Sequence, residues 1–170
     1  MIKLNDSQVK KIEETTKETP TKFDQRDQQS STIQALLTKR QAVLVAMCSL
    51  AELELEEANF VTTLEGLKTF SQTLVDYSAL GHFEIYERII DGNERRDKVK
   101  KVTSAVYPLI SKTTDNFVAF NDKYDGADDQ DSLTNLYKDL SLIAESMADR
   151  IESEDKLLHQ MNESSALQTN

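Results

Sequence analysis

Apolar residues in this chain recur at steps of three and four, the spacing of helix faces rather than strands. The clearest stretch is Phe60, Leu64, Leu67, Phe70, Leu74 and Tyr77, at steps of 4, 3, 3, 4 and 3. That stripe predicts one helix closed by Gly81 as a left-handed cap. Upstream, Ile33, Leu36, Leu37, Val43 or Leu44, Met47 and Leu50 predict a helix from Thr32 to about Leu53. The alternation Glu52-Leu53-Glu54-Leu55-Glu56 breaks this stripe, so a loop or helix end is expected over Ala51 to Asn59. Downstream, a short helix is expected over His82 to Ile90, followed by an Asp91-Gly92-Asn93 turn.

Glu94 to Tyr124 reads as one long helix on Val99, Val102, Val106, Leu109 or Ile110, Thr113, Phe117, Phe120 and Tyr124. Pro108 lies inside it, removes one hydrogen bond and predicts a kink. Asp125 to Asp129 forms a loop. The last helix is expected from about Asp131 to Met161 on Leu133, Leu136, Leu140, Ile143, Met147, Ile151, Leu158 and Met161. At the front, Val9 and Ile12 alone give Asp6 to Lys17 a stripe, and Thr19-Pro20 ends it. Gln25 to Ser31 is polar, either an exposed helical start or a mobile linker.

These elements predict an all-α protein: an antiparallel bundle of four long helices with additional short ones. The expected domains are a polar N-terminal helix or linker over 1–31, the bundle over 32–161, and a disordered tail over 162–170. No internal repeat is evident.

Composition sharpens the picture. Four glycines and two prolines in 170 residues leave little material for frequent turns, which favours long helices. Thirty acids against twenty bases give a net charge of -10, which repels phosphate backbones and argues against direct nucleic-acid binding. The same field draws in a basic partner, or simply keeps the protein soluble. The single cysteine, Cys48, cannot form an internal disulfide, which fits a reducing cytosol, and a buried inert thiol is expected. No apolar run is long enough to span a membrane, and the first residues lack the apolar core of a signal peptide. A cytoplasmic location is therefore expected.

Catalytic chemistry finds little to work with. There is no phosphate loop, nucleophile elbow or zinc pair. Asp155 and His159 stand four apart, yet no Glu-x-x-His motif accompanies them, so no metal or other cofactor is expected. The acids from Asp122 to Asp131 lack the alternating ligand spacing of a calcium loop. His82 sits in His82-Phe83-Glu84-Ile85-Tyr86, whose aromatic and acidic neighbours suit a hydrogen-bonded structural histidine better than a phosphoacceptor. A phosphorelay or metabolic signalling module acting through His82 is the competing reading, and exposure of that side chain is its first requirement. A structural interaction protein is a third. Several polar residues lie close to apolar stripes: Arg40, Asp76, Tyr77, His82, Tyr86, Glu87, Arg88, Glu145, Arg150 and Asp155. Buried charges must be paired, so these form an internal network or line a binding face.

The run from Phe70 to Ile89 contains Leu74-Val75-Asp76-Tyr77, then Gly81-His82-Phe83, then Ile85-Tyr86-Glu87-Arg88-Ile89. It resembles the hallmark of the Rsd/AlgQ family, bacterial regulators that bind the primary sigma factor of RNA polymerase. Leu37, Arg40 and Leu44-Val45-Ala46, the step Tyr107-Pro108, and Leu140-Ser141, Ile143, Glu145, Arg150 and Glu154-Asp155-Lys156-Leu157 agree with it, so the likeness covers about residues 33 to 160. Leu36 stands where the family pattern has tryptophan, and Glu52 to Asn59 replaces a Gly/Pro-rich loop. The resemblance implies an anti-sigma role without catalysis. The partner would be the C-terminal domain of the primary sigma factor, with room for a second cytosolic regulatory protein. Asp76, His82, Glu84 and Glu87 are the candidate partner-binding residues, with Arg40 and Tyr86 as supports.

Overall fold

A computed structural model describes residues 22–92 and 94–166 of the chain. The order is α1 (Lys22–Leu55), α2 (Phe60–Gly81), a π-helical turn (His82–Tyr86), α3 (Glu87–Ile90), α4 (Asp97–Tyr124), a 3-10 turn (Asp131–Leu133) and α5 (Leu136–Ala166). The described residues hold no strand, and the protein is an all-α helical bundle. α1 packs chiefly on α2 and α4 chiefly on α5, and the two pairs close around one core.

The buried positions keep a strict three-four rhythm. α4 buries Val99, Thr103, Val106, Ile110, Thr113, Phe117, Phe120 and Tyr124. α2 buries Thr63, Leu67, Phe70, Leu74, Tyr77 and Gly81. A sustained alternation of three and four is the seam of helices packed nearly side by side, as in four-helix bundles. Where two neighbours competed, Val43 and Ile110 point inward, Leu44 is half-buried and Leu109 is exposed.

Several boundaries differ from the sequence reading, each for a local reason. α1 begins at Lys22, so the polar stretch from Gln25 is a helical start. It also runs on through the Glu-Leu alternation to Leu55. Its end is closed by bonds from Ala58 N–H to Leu53 O (3.0 Å) and from Glu57 N–H to Glu54 O (3.2 Å). Glu57 takes φ of 50°, so this is a Schellman close with glutamate in the position glycine usually holds. Asn59 then caps α2, its Oδ1 accepting from Thr62 N–H at 3.0 Å.

Gly81 does not cap α2. Its φ of -59° and ψ of -46° are ordinary helix, and the chain continues into the π turn, where Glu87 N–H donates to His82 O. The reason lies in the pattern. Extending the stripe 63, 67, 70, 74, 77, 81 by three and four would bring Glu84 and Arg88 into the core. A slip of one residue brings Ile85 and Ile89 there instead, and both are buried. A π turn, bonded i to i+5, accommodates that extra residue.

α4 starts at Asp97 rather than Glu94 and carries Pro108 inside it. α5 continues past Met161 to Ala166, and Ser164 is buried, so residues 162–166 are helix rather than tail. The expected helix over Asp6 to Lys17, the Thr19-Pro20 stop, Asn93 and residues 167–170 lie outside the described residues. Cys48 is exposed, contrary to expectation: it sits beside the core position of Met47 and edges a shallow groove between α1 and α5.

Candidate partner-binding face

At mid-bundle the core turns polar. On α5 one buried row runs Leu136, Leu140, Ile143, Met147, Arg150, Glu154, Leu157 and Met161, flanked by buried Ser146, Ser153, Leu158 and Ser164. Arg150 and Glu154 thus occupy core positions, and both are 0 % exposed. Each oxygen of Glu154 receives two donors. Oε2 accepts from the Tyr77 hydroxyl and from Arg40 Nη2 at 3.0 Å. Oε1 accepts from the Tyr86 hydroxyl and from Arg150 Nε at 2.9 Å. A carboxylate offers about four lone-pair sites, and here all are used.

Arg150 reaches further, to Thr114 Oγ1 at 2.8 Å and Thr113 Oγ1 at 3.2 Å on α4. Its guanidinium carbon also lies 5.2 Å from the Tyr77 ring centre and 5.5 Å from that of Phe117, within cation–π range. Arg40 binds Asp155 Oδ1 at 2.7 Å from the rim. The cluster therefore ties α1, α2, the π turn, α4 and α5 together. Burial first, and then the negative charge of Glu154, raise both the Tyr77 and the Tyr86 hydroxyl far above the usual phenol range.

The π turn carries the opposite character on its outer side. Phe83 is 59 % exposed, with Val75 and Ile90 also exposed along the same run of chain. Glu84, Glu87 and Arg88 are exposed around it. The His82 ring packs edge-on against Phe83 at 4.9 Å, and its Nε2 lies 3.9 Å from Glu87 Oε1. Nearly two turns back, Asp76 accepts from Gln72 Nε2 at 2.8 Å and from Lys39 Nζ at 3.2 Å, which together hold its carboxyl below the usual range.

The structure thus separates the sequence-predicted residues into two groups. Arg40, Tyr77, Tyr86, Arg150 and Asp155 meet around Glu154. Asp76, His82, Glu84, Glu87 and Arg88 do not join them. Asp76 pairs with Lys39, not with Arg40 or His82. Tyr86, at 1 % exposure, faces inward and offers no direct contact to a partner. Glu145 lies apart, exposed beside a groove between α4 and α5 near Asp149 and Lys112. Among the described residues no group of three or more His, Cys, Asp or Glu side chains is placed to hold a metal ion. His82 is accessible, its side chain 42 % exposed, but its carboxylate and phenyl neighbours offer a phosphoryl donor repulsion rather than a cradle.

Glu154, the hub, is not among the network residues that the sequence suggests. The signal for it was present: Arg150 and Glu154 continue the three-four stripe after Met147, where the sequence reading placed Ile151.

An interior ion cluster, in which Arg40 Nε and Arg150 Nη2 alone among the described buried side-chain nitrogens and oxygens lack a hydrogen-bond partner, thus lies beneath an exposed phenyl ring with carboxylates beside it in the chain, an arrangement suited to binding. The profile of the Rsd/AlgQ family, described as "Regulator of RNA polymerase sigma(70) subunit, Rsd/AlgQ", matches residues 9–162, and the chain belongs to that family. It is 34 % identical over 131 residues to the regulator of sigma D of Yersinia enterocolitica, covering 75 % of this chain and 78 % of that one. The regulator of sigma D of Yersinia pseudotuberculosis is 33 % identical over the same coverage. That of Enterobacter sp. (strain 638) is 33 % identical over 121 residues, 70 % of this chain and 73 % of the relative. No solved structure matches the chain. Among the described residues no helix is long and apolar enough to cross a membrane.

Proposed function

We propose that this chain is a cytoplasmic anti-sigma factor that binds the C-terminal domain of the primary sigma factor. That domain reads the promoter -35 element through a basic helix-turn-helix surface. Covering it keeps the primary sigma factor from promoters and favours alternative ones, with no direct contact between this chain and nucleic acid. The family description and the names of the relatives support the choice of partner.

The observation that carries the choice of surface is Phe83. Phe83, 59 % exposed, is the one aromatic among the exposed large hydrophobics of the described residues, and with Glu84 and Glu87 exposed beside it in the chain it has the composition of an interface anchor. Aromatic anchors dominate binding energy, and the surrounding carboxylates match a surface built to hold phosphates. Asp76 and His82 lie on the margin of this patch. Arg40 and Tyr86 act from beneath it.

The test is a titration of the sigma C-terminal domain with wild type and Phe83→Ala. Truncation is expected to weaken binding by at least about thirtyfold, the scale of a hot-spot side chain, with thermal stability unchanged. Equal affinities would move the interface elsewhere.

A further inference from the structure

We infer that Tyr86, held by the buried Glu154 carboxylate, is a positioning residue for the partner face. Its hydroxyl bond keeps the turn after α2 in π register, and that register keeps Glu84 outside, on the face beside Phe83. The inference rests on the sigma-binding reading above and adds the interior group that presents the surface.

The reasoning is geometric. Tyr77 and Tyr86 are nine residues apart. On an uninterrupted α-helix of 3.6 residues per turn they would point about 180° apart, on opposite faces. Yet their hydroxyls donate to the two oxygens of one carboxylate. The π turn over His82–Tyr86 resolves the conflict. Absorbing one residue gives the pair the phase of residues eight apart, about 80°, and both rings then reach Glu154. The same shift leaves Glu84, which an uninterrupted three-four stripe would carry into the core, exposed next to Phe83.

Space at the joint is matched to this arrangement. A Cβ on Gly81 would stand 3.0 Å from Tyr86 Cε2, 3.2 Å from its hydroxyl oxygen and 3.3 Å from Arg150 Nη2. The hydroxyl bond is set into a carboxylate already held by Arg40 and Arg150, so Glu154 is a fixed point rather than a flexible acceptor. Ile85 and Ile89 favour the same register through burial. What Tyr86 adds is a directional bond, whose strength falls steeply off line and so fixes the turn on Glu154 more narrowly than burial of Ile85 and Ile89 alone.

The experiment compares wild type, Tyr86→Phe and Tyr124→Phe. The last removes a similar hydroxyl–carboxylate bond, Tyr124 to Asp139 at 2.7 Å, far from the turn. Two readouts are taken: amide exchange of Glu87, whose N–H donates to His82 O across the π turn, and affinity for the sigma C-terminal domain. Tyr86→Phe is expected to speed exchange at Glu87 and weaken binding by about tenfold, the scale of one hydrogen bond to a charged group. Tyr124→Phe should do neither. If wild type binds and Tyr86→Phe changes neither readout, apolar packing alone sets the register and the inference is wrong. Weaker binding with unchanged exchange overturns it too. If wild type itself does not bind the domain, the sigma reading fails and the inference falls with it.

Discussion

Tyr77 and Tyr86 stand nine positions apart yet donate to opposite oxygens of the same buried carboxylate, Glu154. This convergence makes the polar layer of the core a single unit. Removing Glu154 would leave Arg150 without a counter-charge and two phenols without their acceptor in the interior, while Arg40 would keep only Asp155 at the rim. Breaking a buried ion cluster from one side costs about 3–5 kcal/mol. Glu154→Ala should show that loss in urea unfolding; a loss below about 1 kcal/mol would contradict a sealed cluster.

Gly81→Ala gives a second handle on the same joint. Gly81 has helical angles, and replacing a mid-helix glycine by alanine ordinarily adds about 0.5–1 kcal/mol. Here the new Cβ would press on the Tyr86 ring at 3.0 Å. The expected result is no gain or a net loss on thermal unfolding. A rise in stability would mean that Tyr86 yields freely.

At the end of α1, Glu57 holds a left-handed conformation at φ of 50°. An L-residue there is disfavoured by roughly 1–2 kcal/mol, which glycine avoids. Glu57→Gly should therefore raise unfolding stability by about 1 kcal/mol, with partner binding unaffected. A drop would show that the glutamate side chain has a role of its own at this corner.

Most of the stripes on α2 and α4 is legible in the sequence because those core positions are apolar; Thr63 and Thr103 are buried where the pattern points to Leu64 and Val102, which are half-buried, because a threonine on a core face looks polar. On α5 the sequence marks Arg150 as a network residue but not Glu154, because a charged residue at core spacing looks like a solvated face until its partners are known. Apart from Arg150 four residues back, the cluster's partners come from α1, α2, the π turn and α4, and no local pattern announces them. The π turn was hidden for a related reason: Gly81 looked like a stop, whereas the one-residue slip from Glu84 to Ile85 was the informative mark. The end of α1 was misjudged because its Schellman close lacks glycine. The outer acids Glu84 and Glu87 were visible as candidates, but Phe83 gained its place on the face only from its exposure.

The pairing of Asp139 makes a pH prediction. Lys123 and then Tyr124 donate to its carboxylate and hold its pKa below the usual value against the opposing effect of burial. Because the native pKa lies below the unfolded one, the stabilisation is complete above about pH 4 and fades as pH falls below that toward the native value. The stability gap between wild type and Asp139→Asn should be widest near neutrality and narrow under acid. A gap that stays constant from pH 6 to strong acid would refute this pairing.

The most direct test of the regulatory role is competition. A labelled DNA duplex carrying the promoter -35 element is bound by the isolated sigma C-terminal domain, and this protein is titrated in. It should release the DNA as it forms a complex with the domain. Binding between the two proteins should weaken as salt rises from low to physiological ionic strength, where surface attraction is screened within about 8–10 Å. Replacing Glu84 and Glu87 together by glutamine should reduce that salt dependence. No complex with the domain at low salt, with this protein at high micromolar concentration, would contradict the anti-sigma assignment for this chain.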